Sequence, residues 1–123
     1  MKLQAERPQG SNAITAYGTG FVTINGQTFR NSVIVGHDRL HVDWPVTNIE
    51  SLTSENFLGL DKGCDVILLG TGSKQRFPDR AILRPMTAKR IGVEVMDTAA
   101  ACRTYNVLLA EGRAVIAALI IEQ

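Results

Sequence analysis

Short apolar runs separated by turn-forming residues occupy the first third of the chain. Residues 13–18 and 21–24 have strand-like composition, and residues 27–35 return to it after Asn25-Gly26. An Asn-Gly pair between such runs is a strong hairpin signal, because both residues tolerate the positive φ angles of a tight turn. The pattern therefore predicts an antiparallel hairpin in which residues 27–35 form the partner strand.

A strict alternation of apolar and polar side chains follows this hairpin. Leu40, Val42 and Trp44 alternate with three polar residues before Pro45 interrupts the pattern. A period of two is typical of a strand that buries one face, and proline is poorly tolerated inside a sheet. We therefore predict a half-buried strand over residues 39–44, which makes the first third of the chain an antiparallel β layer.

The middle of the chain contains one strongly apolar segment. Residues 65–69 (DVILL) are apolar on both faces of a strand, as central strands covered on two sides are. This segment leads directly into the turn Gly70-Thr71-Gly72. Before it, Thr53-Ser54 offers an N-cap for a short helix over residues 55–58, which Gly59 or Gly63 would end.

Two prolines interrupt the next segment. Residues 79–89 favour helix, but Pro78 precedes them and Pro85 lies among them. Because proline lacks an N–H group and clashes with the preceding turn, we predict short helical pieces here. Residues 76–77, just before them, are predicted to form a short strand.

The last third has the clearest pattern. Residues 92–96 are predicted to form a second buried strand, and Thr98 is a natural N-cap for a helix over residues 99–111. Gly112 is positioned to end that helix, and residues 114–121 form a third apolar strand.

This order of elements predicts the fold class. A strand, a helix and a strand with short connections form the crossover unit that makes parallel neighbours, although the pattern leaves the direction of the last strand open. The helix is apolar or small nearly all round, which predicts packing on two sides. The chain is therefore expected to form a layered α/β domain with an antiparallel β flank.

Composition places the chain among ordinary globular proteins. Of its 123 residues, 45% are hydrophobic and 20% are charged. A chain of this size buries enough surface to fold without disulfides or a structural metal. The formal net charge of +1 leaves no strong field to attract a phosphate backbone, so no nucleic-acid partner is expected.

The sequence carries no recognisable targeting or membrane-spanning segment. Residues 1–10 contain no apolar run, and the longest apolar run, residues 114–121, is far shorter than the ~20 residues that span a bilayer. Cys64 and Cys102 lie next to apolar sequence and are interpreted as buried free thiols. We therefore expect a cytoplasmic protein that does not span a membrane.

Two segments resemble a known family. VILLGTG (residues 66–72) and IGVEVMDTAAACRTYNVLLAEGRAVIAAL (residues 91–119) resemble the uncharacterised Mth-type domain family, domain of unknown function 498. The ordered succession of GTG, VEVMDT, TYN and EGR carries the specificity, and the early β segments fit the same pattern. The family includes mitochondrial complex I assembly factor 3 and the adipogenesis-associated Mth-domain protein.

The resemblance implies a fold and a role. The implied fold is α/β with three layers, namely a central mixed sheet, helices on one side, and an antiparallel β layer with a short helix on the other. One domain would cover residues 1–123, with no established enzyme activity. Because the mitochondrial members are assembly factors for a large membrane complex, the resemblance implies a protein partner. From residues 1–10 we expect no transit peptide, which fits a bacterial cytoplasmic relative and leaves the complex I role itself open.

The glycine turn after the central strand and the start of the long helix are the candidate binding site. If their strands run parallel, both lie at the sheet edge where open α/β sheets bind ligands, and side chains one turn into the helix would contact an anion or a peptide group. Alternatively, these residues serve only packing and capping. The hypothetical crevice comprises Gly70, Thr71, Gly72, Asp97, Thr98, Arg103 and Asn106.

Four further residues have a mainly structural interpretation. Glu94 is a carboxylate within an apolar strand, so an inward position requires an ion pair with Arg113 or Arg103, or a raised pKa. We favour the ion pair over a catalytic acid. In Glu111-Gly112-Arg113, glycine permits the left-handed turn that ends the helix, and Arg113 favours the helix dipole.

The sequence predicts no catalytic residues, metal or cofactor. His37 and His41 lie on either side of Arg39, whose charge opposes a metal ion. Both histidines fall in one stretch without a nucleophile elbow, and neither cysteine has a CxxC context or an evident partner base.

Two functional hypotheses follow. We favour a non-catalytic binding module that recognises another protein and resembles assembly factors for respiratory-complex or other membrane-protein subunits. The alternative is a protein that binds an anionic metabolite in the crevice, with Glu94 or Asp97 as acid or base if it is an enzyme. Exposed edges of the early hairpins make a homodimer a further candidate.

Overall fold

The computed structural model describes residues 10–122, so the expectation about residues 1–10 concerns positions outside the described part, apart from Gly10. Within this range the chain forms two β-sheets, two α-helices and two short 3₁₀ turns. The strands are β1 (Ile14–Gly18), β2 (Phe21–Ile24), β3 (Gln27–Phe29), β4 (Val33–Gly36), β5 (Arg39–His41), β6 (Val66–Gly70), β7 (Gly92–Met96) and β8 (Val115–Leu119). The helices are α1 (Arg80–Thr87) and α2 (Thr98–Ala110), and the 3₁₀ turns are Ile49–Ser51 and Ser54–Phe57.

The main sheet has five strands in the order β5-β4-β8-β6-β7. Strand β6 pairs in parallel with both β7 and β8, and β8 pairs antiparallel with β4. All five β6 residues are buried, as expected for a strand covered on two faces. The β7-α2-β8 unit is the predicted crossover, and the direction that the pattern left open is parallel to β6.

The small sheet is the antiparallel hairpin pair β1-β2-β3. Asn25 and Gly26 form its tight turn with φ angles of +52° and +85°, as their sequence predicts. The prediction of one strand over residues 27–35 is wrong, because the chain leaves the small sheet after β3 and enters the main sheet at β4. Ser32 fixes this change of sheet, since its buried hydroxyl donates to the Val46 carbonyl (2.5 Å) and accepts from the Ile121 N–H (2.9 Å).

The half-buried strand predicted over residues 39–44 is also shorter than expected. It ends at His41, and both Leu40 and Val42 are exposed, because β5 is the edge strand of the main sheet. Asp43 then adopts a φ of +58°, which turns the chain. Only Trp44 of the alternating apolar residues is buried, and its indole N–H donates to the Asn56 carbonyl (3.1 Å).

The segment after β6 departs from prediction as well. Residues 76–77 form no strand, and the predicted region 79–89 contains one helix, α1 (Arg80–Thr87), with Pro85 inside it. Proline leaves only the carbonyl four residues earlier without its helical N–H donor, and that residue, Ala81, is exposed to water. Strand β7 is predicted to be buried, and this prediction is wrong. It is the second edge strand of the sheet, and none of its five residues is buried.

The structure is an α/β fold, as predicted, but its layers are distributed differently. Helix α2 and the small sheet cover one face of the main sheet, whereas α1 and the 3₁₀ turns cover the other. The two helices therefore lie on opposite faces. Helix α2 packs on two sides, as predicted, because it lies between β6 and β8 of the main sheet and β1 of the small one.

Candidate functional site

A pocket of about 500 Å³ opens at the carboxyl ends of β6 and β8. It lies between two Gly-Thr-Gly turns, residues 18–20 after β1 and residues 70–72 after β6, and we call it the two-turn pocket. Gly72, Asp97 and Thr98 of the predicted crevice line it. Its other lining residues are Tyr17, Gly18, Thr19, Gly20, Ser73, Ala99, Ile120, Ile121 and Glu122.

Thr98 holds the floor of the two-turn pocket together. Its hydroxyl accepts from the Gly72 N–H (2.8 Å) and donates to the Ile120 carbonyl (2.8 Å). Its own N–H donates to the Gly72 carbonyl (2.9 Å). Thr98 therefore connects the ends of β6 and β8 to the start of α2.

Gly70 and Thr71 lie beneath the pocket rather than along its wall. A Cβ atom on Gly70 would come within 3.0 Å of both Thr98 Cα and Thr98 Oγ1, so glycine permits the close approach of α2. Thr71 is fully buried, and its hydroxyl donates to the Lys74 carbonyl (2.6 Å) and accepts from the Arg76 N–H (3.2 Å). Both residues shape the turn.

Two carboxylates accept hydrogen bonds from backbone N–H groups at the pocket. Asp97, rather than the predicted Thr98, is the N-cap of α2, because its side chain accepts from the Ala100 N–H (2.8 Å). Glu122 accepts from the Ser73 N–H (2.8 Å) in the same way. An anion in the two-turn pocket would need such N–H groups and would meet two negative charges.

Arg103 and Asn106 do not line the two-turn pocket. Asn106 is buried and makes a pair of hydrogen bonds with the Ile14 backbone, accepting from its N–H (3.1 Å) and donating to its carbonyl (2.6 Å). Arg103 is exposed and donates to the Tyr17 hydroxyl (2.8 Å). Because Tyr17 lines the pocket, the Tyr17 side chain connects Arg103 to the site.

The remaining candidate residues lie away from this pocket. Glu94 is exposed at the edge strand β7 and, within residues 10–122, forms no ion pair with Arg113 or Arg103, because an edge position leaves it in water. Gly112 ends α2 with a φ of +77°, and its N–H donates to Leu109 (3.0 Å). Glu111 is the C-cap of α2. The Arg113 N–H donates to the Leu108 carbonyl (2.9 Å), which closes the turn after the helix.

Sequence reasoning found three of the twelve residues that line the pocket and missed the other nine. Tyr17, Thr19, Ser73 and Glu122 were not among the candidates, although they line it. One signal was present, because Gly-Thr-Gly occurs twice in the chain, 52 positions apart. Nothing local indicates that the two turns meet.

The residues that the structure describes hold no group of three His, Cys, Asp or Glu side chains that could bind a metal ion. Both cysteines are free thiols, Cys102 buried and Cys64 half-buried. Burial raises the pKa of the Cys102 thiol to about 12. The Cys64 thiol donates to the Leu60 carbonyl (3.0 Å), and burial raises its pKa too.

These environments predict unequal thiol reactivity. Because the thiolate is the reactive species, burial leaves Cys102 almost entirely in the unreactive thiol form near pH 8. Ellman's reagent is therefore expected to modify one thiol per native chain, at Cys64, and two thiols after unfolding in guanidinium. Rapid modification of Cys102 in the native protein would show that α2 opens readily.

Together these features define an α/β domain whose mixed sheet carries a pocket at the carboxyl ends of its parallel strands. The chain belongs to the family of proteins of unknown function DUF498/DUF598, which matches residues 14–120. The sequence-based family prediction is confirmed.

Relatives and solved structures agree with this assignment. The mouse NADH dehydrogenase [ubiquinone] 1 alpha subcomplex assembly factor 3 is 33% identical over 121 residues, which cover 96% of this chain and 64% of that protein. A Bordetella parapertussis crystal structure is similar with a TM-score of 0.86 and 36% identity, covering 94% of this chain and all of that one. The solution structure of a Bordetella pertussis protein described as a Mth938-like domain has a TM-score of 0.81 and 31% identity, covering 99% and 93% of the two chains.

The chain thus spans less than two-thirds of the length of the mouse relative. In the part of the chain that the structure describes, neither helix has the length and apolar character needed to cross a bilayer.

Proposed function

We propose that this chain is a non-catalytic binding module that holds a subunit of a membrane-protein complex during assembly. Likeness to complex I assembly factor 3 along 96% of the chain supports an assembly-factor-like role. In this proposal, the two-turn pocket receives a segment of the protein partner. A cytoplasmic location is part of the same proposal.

The observation that carries this proposal is how the pocket uses its polar groups. Asp97 caps α2, Glu122 holds the Ser73 N–H, and the Thr98 hydroxyl bridges Gly72 and Ile120. Each group is committed to a backbone partner, whereas an acid or base must be able to exchange a proton with a substrate. The pocket therefore offers a fixed shape with an apolar wall, which suits binding.

The same contacts weigh against an anionic metabolite in this pocket. The N–H groups of Ser73 and Ala100, which would cradle an anion, already bind the protein's own carboxylates. The two predicted cationic and amide contacts, Arg103 and Asn106, bind Tyr17 and Ile14 instead. A protein segment, with apolar side chains and few charges, is better matched to this surface.

Site-specific photo-cross-linking tests the proposal. Benzoylphenylalanine in place of Thr19, which is exposed at the pocket, is expected to give one main adduct with a membrane-complex subunit. The matched control carries the same group at Thr87, which is exposed at the end of α1 on the opposite face of the sheet. That control is expected to give no such adduct.

Soluble and membrane fractions are analysed separately by mass spectrometry. Equal adducts from Thr19 and Thr87 would contradict the proposal, because they would show non-specific binding. An adduct of twice the chain mass from Thr19 alone would instead assign the pocket to a homodimer. Absence of any Thr19 adduct in cells that make the protein would also overturn the proposal of a membrane-complex partner.

A further inference from the structure

A second pocket of about 650 Å³ lies at the opposite end of the main sheet. The turn between β4 and β5, the loop before β6 and the connection from α2 to β8 enclose it. We call it the basic pocket, because its lining includes four residues with basic side chains. These are His37, Arg39, Lys62 and Arg113.

Backbone contacts hold the Arg39 side chain and the turn that carries Arg113. The Arg39 guanidinium donates to the carbonyls of Gly59 (3.1 Å) and Lys62 (2.6 Å), which fixes the loop that carries Lys62. The N–H of Arg113 donates to Leu108 (2.9 Å) in the turn that ends α2. A guanidinium has five N–H donors, so Arg39 keeps donors beyond the two that hold this loop.

The residues that line the basic pocket carry more positive than negative charge. Arg39, Lys62 and Arg113 contribute three positive charges against one from Asp38, the acidic residue in the lining, whereas the whole chain has a net charge of +1. Three further acidic residues, Asp61, Asp65 and Glu111, lie within two residues of the lining along the chain, and Asp61 forms an ion pair with Lys89 (2.8 Å). Concave walls that carry one sign of charge concentrate the field and attract counter-ions.

We propose that the basic pocket binds a soluble diphosphate group. Cations from three separate segments surround a space larger than one phosphate, so a ligand with two linked phosphates can contact several of them at once. Arginine recognises phosphate oxygens through two N–H groups, and lysine adds a point charge. The pocket is separate from the two-turn pocket, so this inference does not rest on the proposed protein partner.

Calorimetric titration with pyrophosphate at low ionic strength tests the proposal. The wild-type chain is expected to bind, and the double variant Lys62→Ala/Arg113→Ala is expected to bind at least about tenfold more weakly, because two charge-assisted contacts are lost. The matched control is Arg80→Ala/Arg84→Ala, which removes two exposed cations of α1 outside the basic pocket. The control is expected to bind as the wild type does.

Amide chemical shifts locate the ligand on the wild-type chain and do not depend on any variant. Pyrophosphate is expected to move the Gly63 and Gly112 signals of the basic pocket. Movement of the Gly20 and Ser73 signals instead would place the ligand in the two-turn pocket and overturn the proposal. An equal loss of affinity in both double variants, or no binding by the wild type, would do the same.

A parallel titration distinguishes a soluble diphosphate from a lipid headgroup. Dihexanoyl phosphatidic acid, as a dispersed lipid, presents a single phosphate. It is expected to bind at least about tenfold more weakly than pyrophosphate, because it spans fewer of the cations. Binding as tight as that of pyrophosphate would contradict a site built for two phosphates.

Discussion

Replacing Phe57 by alanine is expected to lower the free energy of unfolding by about 4 kcal/mol, the largest effect predicted for this chain. The Phe57 side chain is fully buried on the face of the main sheet that α1 covers. Its ring meets the Trp44 ring edge to face, with centroids 6.2 Å apart and planes at 69°. Truncation removes both the buried aromatic surface and this ring contact, and it leaves a cavity.

The neighbouring residue supplies a matched control for this prediction. Leu58 is also a large apolar side chain, but 75% of it is exposed, so Leu58→Ala is expected to change stability by less than about 0.5 kcal/mol. Urea unfolding followed by Trp44 fluorescence measures both variants. Similar midpoints for the two variants would show that the layer around Phe57 is not packed as described.

Replacing Asn106 by alanine is expected to cost about 3 kcal/mol. The side chain is buried between α2 and β1, and it pairs with both the N–H and the carbonyl of Ile14 (3.1 and 2.6 Å). Alanine would leave a buried donor and a buried acceptor unsatisfied, and each such group costs about 1–3 kcal/mol. Chemical unfolding gives the change in free energy.

Val107→Ala is the control for this second prediction, because Val107 follows Asn106 in α2 but is 54% exposed. It is expected to leave the unfolding midpoint nearly unchanged. Hydrogen exchange adds a local measurement, in which Asn106→Ala accelerates exchange at the Ile14 amide more than at the amides of β6. Wild-type exchange at Ile14 in that variant would contradict the assigned role.

The Asn106 contact also connects stability with the candidate site. Strand β1 ends at Gly18, where the first Gly-Thr-Gly turn of the two-turn pocket begins. Tyr105 reinforces the same contact, because its hydroxyl donates to the Asn12 carbonyl (2.7 Å). A variant that loosens the small sheet is therefore expected to lose the Thr19 cross-link together with stability.

The two pockets lie at opposite ends of one sheet and differ in chemistry. The two-turn pocket has carboxylates that its own backbone already binds, whereas the basic pocket presents several cations. The strands between them, above all β6 and β8, are fully buried and supply a rigid connection. The sequence predicted an anion at the end of the sheet that carries the two-turn pocket. The basic pocket, at the other end, is better matched to an anion.

The family pattern and several elements followed from sequence because their causes are local. The Asn25-Gly26 turn needs only residues that accept positive φ, and the end of α2 needs only Gly112 and its neighbours. Strand β6 and the β7-α2-β8 crossover followed from apolar runs and helix propensity. These features depend on residues that are close together in the chain, apart from the direction of β8, which pairing with β6 decides.

The misassigned elements depended on position in the fold. Glu94 is in water because β7 is an edge strand, and Leu40 is exposed because β5 is the other edge. The pattern of residues 27–35 is continuous, yet the contacts of Ser32 with Val46 and Ile121 divide it between two sheets. Strand order therefore decided the burial of residues whose own pattern predicted the opposite.

By itself, the sequence determined the α/β class, the central strand and the glycine turn at its end. Only the tertiary structure decided that Gly18–Gly20 faces Gly70–Gly72, that Asn106 binds the β1 backbone, and that the basic side chains of three segments surround one pocket. The physical reason is the range of the interactions. Backbone propensity and periodicity act over a few residues, whereas both pockets are built from segments that only sheet pairing and helix packing bring together.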